Sequence, residues 1–364
     1  MGYILHMPTS SIGAIPLSAL TLQPFMRADT IAPVAEGLKT GTYKNIVITT
    51  HHKPDGDAMG SSLGLYLFLK RYAHVQVITP TDYADFLNWL PGNDDVLIYE
   101  GNETRAEEVT RNADLIFCLD FNRLSRINEF GEVVRQSEGE KVLIDHHLEP
   151  ENFEDYTFWD NHSSSTAELI YHFIREYFGM EYFTKDIATN LYCGLMTDTG
   201  NFQHNNTNAT THRVAADLID CGIHPTDIHE KVFDVFSENR SRLFGYCMYE
   251  KLQIIPELRT ALIYLTREEL ERFQVVTGDT EGLVNLGLGI KNIVLSVLII
   301  DRTKLIKMSF RSKGTFAVNE YAEKYFHGGG HKNASGGQSE DTLENTVNKF
   351  KETIALYREE LQKI

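Results

Sequence analysis

The sequence predicts an α/β protein: a parallel-sheet domain with helices on both faces, linked by a helix to a smaller α/β domain. Three observations predict it. Short β-branched apolar runs alternate with helical stretches over the first 160 or so residues; the pattern then turns helical; strands resume beyond about residue 252. At 364 residues the chain also exceeds the usual size of a single core.

Taken in order, "NIVITT" (45–50) reads as a buried strand and "DAMGSSLGLYLFLKRY" (57–72) as the helix after it. "HVQVIT" (74–79), "ADLIFCLD" (113–120) and "KVLID" (141–145) read as three more strands. Such runs, apolar on both faces and separated by helical stretches, mark a parallel sheet covered on each side. Helices are expected over 164–179, 184–198, 207–221 and about 225–249. "SENRSRLFGYCMYEKL" (237–252) has few breakers and suits a connecting helix. Beyond it, "RTALIYLT" (259–266), "NIVLSVLIID" (292–301) and "KLIKMSFRS" (304–312) are expected strands, the last two joined by a short "RT" turn, and residues 343–364 form a terminal helix. The expected boundaries are an N-terminal extension over 1–40, a first domain over 41–230, a connecting helix over 231–252 and a second domain over 253–364.

Composition narrows the function classes. No apolar run approaches the roughly 20 residues that span a bilayer. The first basic residue is Arg27, so the N-terminus lacks the charged start of a signal peptide and reads as an extension, or as sequence upstream of a start at Met26. Cys118, Cys193, Cys221 and Cys247 form no C-x-x-C pair and suit buried thiols in a reducing cytoplasm. From Lys251 onward 16 basic residues face 15 acidic ones, so the first 250 residues carry a balance of −18 against −17 for the whole chain. Such a domain repels long duplexes unless cations intervene.

The carboxylates and imidazoles fall where strands end. The first strand runs into His51, His52, Asp55 and Asp57, the third into Asp120, and the fourth into Asp145, His146 and His147; a later helix ends near Asp198. Singly, each has an ordinary reading: Asp57 as a helix cap, the histidines as surface groups, Asp198 as a helix terminus. Together they belong outside the carboxyl ends of a parallel sheet, where ligands bind. So many donors would repel one another in a crevice unless cations joined them. Carboxylates with imidazoles and no thiolate favour Mn²⁺ or Mg²⁺, and the donors outnumber the needs of one ion. A pair of metals suits in-line displacement at phosphorus, so the residues alone indicate a metal-dependent hydrolase of phosphate esters or anhydrides.

The ordered series "HHKPDGDA", Asp120, "IDHH", "SSSTAEL" (163–169) and "MTDTGNF" resembles the DHH phosphoesterase family. "SFRSKG" and "HGGGHKNASGG" (327–337) are similar to its associated C-terminal domain. The resemblance runs from about residue 40 to the end and is strongest to bacterial members that degrade nanoRNA and dephosphorylate 3′-phosphoadenosine 5′-phosphate (pAp). It implies a DHH domain followed by a DHH-associated domain. It implies His51, Asp55, Asp57, Asp120, His146 and Asp198 as ligands of two Mn²⁺ ions, with Mg²⁺ as the alternative and with Asp120 and Asp198 shared. Asp57, Asp120 and His147 are the implied catalytic residues, His147 contacting phosphate or protonating the leaving oxygen while hydroxide attacks phosphorus in line. Family spacing selects His51 over its neighbour His52.

In the second domain the glycines of "HGGGHKNASGG", Gly329 and Gly330 among them, offer amides to an anion ahead of an expected helix start. His331 and Arg311 are candidate phosphate contacts, and Arg311 brings a planar fork of donors. Arg126 and Asn285 complete the candidate substrate set; a surface salt bridge is an equal reading of Arg126. "SSSTAEL" reads as a helix cap with Glu168 near N3 and is assigned no chemistry. The expected partners are short single-stranded RNA and nucleotides, cut from an end, with no long duplex and no membrane; a homodimer stays open. Hydrolysis of pApA or cyclic dinucleotides, inorganic pyrophosphatase activity and a non-catalytic nucleotide sensor are the competing readings.

Overall fold

The computed structural model describes residues 28–364 except 277, 303 and 304. The readings of residues 1–27 and of Met26 lie outside the described residues, as do Thr303 of the expected turn and Lys304 at the start of the expected strand. Among the described residues no helix is long and apolar enough to cross a membrane.

Strands β1 (Asn45–Thr50), β2 (His74–Thr79), β3 (Leu97–Ile98), β4 (Leu115–Leu119), β5 (Glu140–Asp145) and β6 (Tyr156–Trp159) form a sheet in the order β3-β2-β1-β4-β5-β6. Every neighbouring pair is parallel. The four expected strands are the inner ones. The edges β3 and β6 hold two and four residues, too few for a periodic signal. Helices α1 (Ala28–Thr40), α2 (Gly56–Leu69), α3 (Glu103–Arg111), α4 (Phe130–Gln136), α5 (Thr166–Tyr177), α6 (Lys185–Asp198), α7 (Ala209–Asp220) and α8 (Pro225–Phe233) complete this unit. Ile46, Ile48, Phe117 and Ile144 pack with α1, α2, α5 and α6 on one face. Val47, Ile116, Cys118 and Leu143 pack with Phe130 and Val134 of α4 on the other. Within the stretch expected to be an extension, α1 places Ile31, Val34 and Leu38 in the first of these cores.

Glycines let α2 and α6 run against each other in opposite directions. A Cβ on Gly60 would lie 2.5 Å from the Asn190 carbonyl oxygen, and one on Gly194 only 2.8 Å from Asp57 Oδ1. The start of α2 therefore meets the end of α6, which brings Asp57 towards Asp198.

The expected continuous helix through 225–249 is interrupted. α8 stops at Phe233, and Ser237 starts α9 (Glu238–Tyr246), its Oγ accepting from Arg240 N at 3.0 Å. A π-helical turn, Cys247–Lys251, then leads into the second domain. There, β7 (Gln253–Ile255), β8 (Thr260–Leu265), α10 (Arg267–Arg272), β9 (Leu295–Asp301), β10 (Ile306–Ser312), α11 (Val318–Phe326), β11 (Gly329–His331), β12 (Ala334–Ser339), α12 (Leu343–Ala355) and α13 (Arg358–Gln362) follow in sequence. The sheet order is β11-β12-β10-β9-β8-β7, with β8 and β9 parallel and the other pairs antiparallel.

The glycine-rich run departs from expectation. It forms the β11–β12 hairpin, and the helix, α11, precedes it. Glycine is a poor helix former, and here it lets backbones close together: a Cβ on Gly328 would sit 2.1 Å from Gly336 O. Met308 and Phe310 of β10 face the core under α11 and α12, so Lys307, Ser309 and Arg311 alternate onto the opposite face. Register pairs Arg311 with Ala334 and Ala334 with His331, so these residues share that face.

Candidate metal centre

β1 and β4 are neighbours, and chain order runs outward from them in both directions. The crevice at such a reversal is where an open parallel sheet binds ligands. Asp55 caps α2, its Oδ1 accepting from Asp57 N at 3.0 Å and Ala58 N at 3.1 Å. Capping, the ordinary reading of Asp57, thus falls to Asp55. Asp57 is 1% exposed, and its two oxygens accept Thr166 N at 2.7 Å and Ala167 N at 2.9 Å. The positive end of α5 holds this carboxylate in place.

Asp120 follows β4 with φ of 64°, while its N–H donates to Ile144 O at 3.1 Å. Aspartate tolerates left-handed backbone better than most residues. The turn takes the side chain out of the strand's alternation. Its Oδ2 lies 3.5 Å from His51 Nε2 and its Oδ1 3.5 Å from His146 Nε2. His51 Nδ1 faces His52 O at 2.9 Å, and His146 Nδ1 faces Ser163 O at 3.3 Å. Each backbone carbonyl takes up the Nδ1–H, which leaves Nε2 as the atom aimed at the carboxylates and open to a proton or a cation. His52 is exposed, with its N–H on Arg126 O at 2.8 Å.

Two groups of donors lie at the heart of the crevice, beside two more that involve His147: Asp120 with Asp145 and His147, and His146 with His147 and His331. Those of His51, Asp55 and Asp120 lie within 4.8 Å of one another, as do those of Asp57, His146 and Asp198. Asp198 Oδ2 is 3.7 Å from His146 Nε2. Of the two aspartates expected to be shared, Asp120 faces both groups and Asp198 lies with the second. The cause is the packing of α6 on α2, which puts Asp198 beside Asp57, whereas Asp120 leaves the strand next to β1.

Left to themselves, these groups balance by holding protons. Burial works against a charged His51, yet hydrogen bonds with Asp120 and Asp55 carry its pKa up to about 10. His146 is likewise raised, against desolvation, by Asp120 and Asp198. Desolvation and then the charges of Asp120 and Asp198 push Asp57 well above the carboxylate range. Asp198 rises to about 6 through desolvation and Asp120, against the pull of His146. Asp120 stays well below its usual value, because His146 and His51 outweigh its desolvation, and His51 lowers Asp55 against desolvation in the same way. Oxygens and outward imidazole lone pairs that need positive charge between them fit divalent cations.

His147 and the second domain complete the crevice. Asp145 is fully buried and accepts from His147 Nδ1 at 2.7 Å. The His331 ring stacks on His147 at 4.7 Å and lies 5.8 Å from His146. Desolvation between the domains, then the His147 and His146 rings, lower the His331 pKa to about 4, although part of the residue stays exposed. Gly329 and Gly330 are exposed on β11 beside it. Arg311 donates to Phe310 O at 2.9 Å, and burial lowers its pKa. Among the described residues no carboxylate forms an ion pair with Arg311. Asn285 is exposed, its backbone N–H on Gly282 O at 2.9 Å.

One functional segment escaped the sequence reading. Ser163–Ala167, read as a cap alone, orients three members of the centre: Ser163 O faces His146, the amides of 166 and 167 hold Asp57, and Thr166 Oγ1 donates to Asp120 at 2.9 Å. Ser165 does cap α5, accepting from Glu168 N at 3.1 Å. A cap facing an acidic strand end was the available signal.

A parallel sheet that gathers aspartates and imidazoles at its strand tips, beneath a histidine from a second α/β domain, defines a metal-dependent phosphoesterase. Residues 45–195 match the DHH family N-terminal domain, and residues 262–362 match the DHHA1 domain. The chain belongs to the DHH family. It is 31% identical over 303 residues to the bifunctional oligoribonuclease and PAP phosphatase NrnA of Thermus thermophilus, covering 83% of this chain and 86% of that protein. The protein of that name from Bacillus subtilis is 28% identical over 299 residues, covering 81% and 89%. The crystal structure of an exopolyphosphatase-related protein from Bacteroides fragilis superposes with a TM-score of 0.90 at 40% identity, covering 94% of this chain and all of that one.

Proposed function

We propose that the protein is a manganese-dependent hydrolase of short oligoribonucleotides and pAp, with Mg²⁺ as the alternative cation. The observation that carries this reading is the pair of donor groups that Asp120 faces, with His331 across the cleft. The names of the Thermus and Bacillus relatives support the substrate class.

His51, Asp55 and Asp120 would hold one cation, and Asp57, Asp120, His146 and Asp198 the second. When bound, the pair supplies positive charge to phosphoryl oxygens and acidifies water near neutral pH. His147, with Nδ1–H committed to Asp145, directs Nε2 away from that carboxylate; as the imidazolium, with a second proton on Nε2, it gives that proton to the leaving oxygen and reverts to the neutral ring. Arg311, His331 and the amides of Gly329 and Gly330 hold a further phosphate, with Arg126 and Asn285 at the margins. A cleft roofed by the second domain admits few nucleotides, which favours cutting from an end.

A manganese-supplemented assay comparing pAp, RNAs of two to five nucleotides, pApA, pyrophosphate and polyphosphate tests the reading. Turnover is expected on the RNAs and pAp and should vanish on chelation. Dominant cleavage of pyrophosphate or polyphosphate, or activity surviving exhaustive chelation, would overturn it.

His51 and His52 separate sharply. His51→Ala is expected to abolish metal-dependent turnover, since His51 Nε2 faces Asp55 at 3.8 Å and Asp120 at 3.5 Å. His52→Ala should largely keep it, since that side chain lies outside the group. Steady-state rates of the two variants decide, and the reverse ranking would refute the ligand assignment.

A further inference from the structure

We propose that Asn206, itself not a ligand, positions the donors of the second cation site, those of Asp57, His146 and Asp198. The inference rests on the two-cation reading above. Immediately after α6, Gly200, Asn201 and Phe202 have φ of 55°, 58° and 64°. Left-handed backbone is routine for glycine and accessible to asparagine but uncommon for a phenylalanine. This run coils the chain back on itself, so that Asn206 returns to Asp198.

The return is marked by one amide. Asn206 Nδ2 lies 2.8 Å from Ser164 O, 3.2 Å from Asp198 O and 3.3 Å from Asp198 Oδ2. All three neighbours are acceptors, which fixes the nitrogen as the inward atom. Ser164 adjoins Ser163, whose carbonyl faces His146 Nδ1. A single side chain therefore ties the end of α6 to the loop that orients His146. It does so with Oδ1 buried and lacking a hydrogen-bond partner among the described residues. In the first group, by contrast, the Asp55 side chain is 62% exposed and held by its own helix start, with no bond to this loop among the described residues.

Losing an outer partner of a metal ligand weakens binding by about 10- to 100-fold. Titration of the chelated full-length protein with Mn²⁺ alone, followed by calorimetry and by paramagnetic resonance of free Mn²⁺, tests the proposal. The wild type should take up two ions. Asn206→Ala should weaken one of them by about 10- to 100-fold and leave the other unchanged, with thermal unfolding of the metal-free protein near that of the wild type. Raising Mn²⁺ should restore kcat, because substrate contacts are untouched. If Asn206→Ala does not fold, Asn206→Ser, whose hydroxyl is too short to span all three acceptors, carries the same expectation. Two ions bound with unaltered affinities, or equal weakening of both, would overturn the role of Asn206. A wild type that binds fewer than two ions would instead sink the two-cation reading.

Discussion

Asp120→Asn is expected to lower turnover by at least about 10³-fold, the scale seen when a group that stabilises developing charge is lost. Asparagine accepts left-handed backbone, so φ of 64° is no obstacle to folding. The carbonyl oxygen of the new side chain can still accept from Thr166 Oγ1. What disappears is negative charge at the one carboxylate facing both donor groups, and an NH₂ replaces an oxygen opposite one imidazole. Manganese titration should therefore show both ions weakened, unlike a lesion on one side of the centre. Circular dichroism checks the fold and kcat the chemistry. Activity within tenfold of the wild type, or two ions held at undiminished affinity, would contradict the shared role of Asp120.

Asp198→Asn should separate function from stability. Activity is expected to fall by about 10²-fold or more as the second cation site loses a charged ligand. The metal-free protein should nevertheless become more stable at about pH 7.5, by on the order of 1 kcal/mol. Desolvation and the neighbouring Asp120 raise the Asp198 pKa to about 6 from an ordinary value near 3.8. A raised carboxylate pKa is a penalty on the folded state that is complete above about 6 and absent below about 3.8. The amide escapes it, so the gain over wild type should shrink as the pH falls through that window. Thermal melts with chelator at several pH values measure it. A destabilised variant at neutral pH would show that Asp198 is held by its hydrogen bonds more strongly than it is repelled.

The inner strands and most helices of the first domain were legible because buried parallel strands are continuously apolar. The edges β3 and β6, and the short β7, were not, since two to four residues carry no period. The β11–β12 hairpin hid for another reason: its glycines have no side chains to signal a face. The gathering of candidate donors was readable where the chemistry sits in side-chain type, as with Asp120 and His146. The support given by Ser163–Ala167 was hidden because much of it comes from backbone carbonyl and amide groups that every sequence possesses. The break between α8 and α9 could have been anticipated, since Ser237 with Glu238 behind it is an ordinary helix beginning.

The bare contact between α2 and α6 reaches beyond packing. Because Gly60 and Gly194 let two rigid rods touch, the gap separating Asp57 from Asp198 is gauged first by interior helices, and the loops that carry Asn206 and Thr166 trim the side chains within it. On the two-cation reading proposed above, the nest for the second ion would thus be preset when the polypeptide folds, and an arriving nucleotide would meet a finished socket.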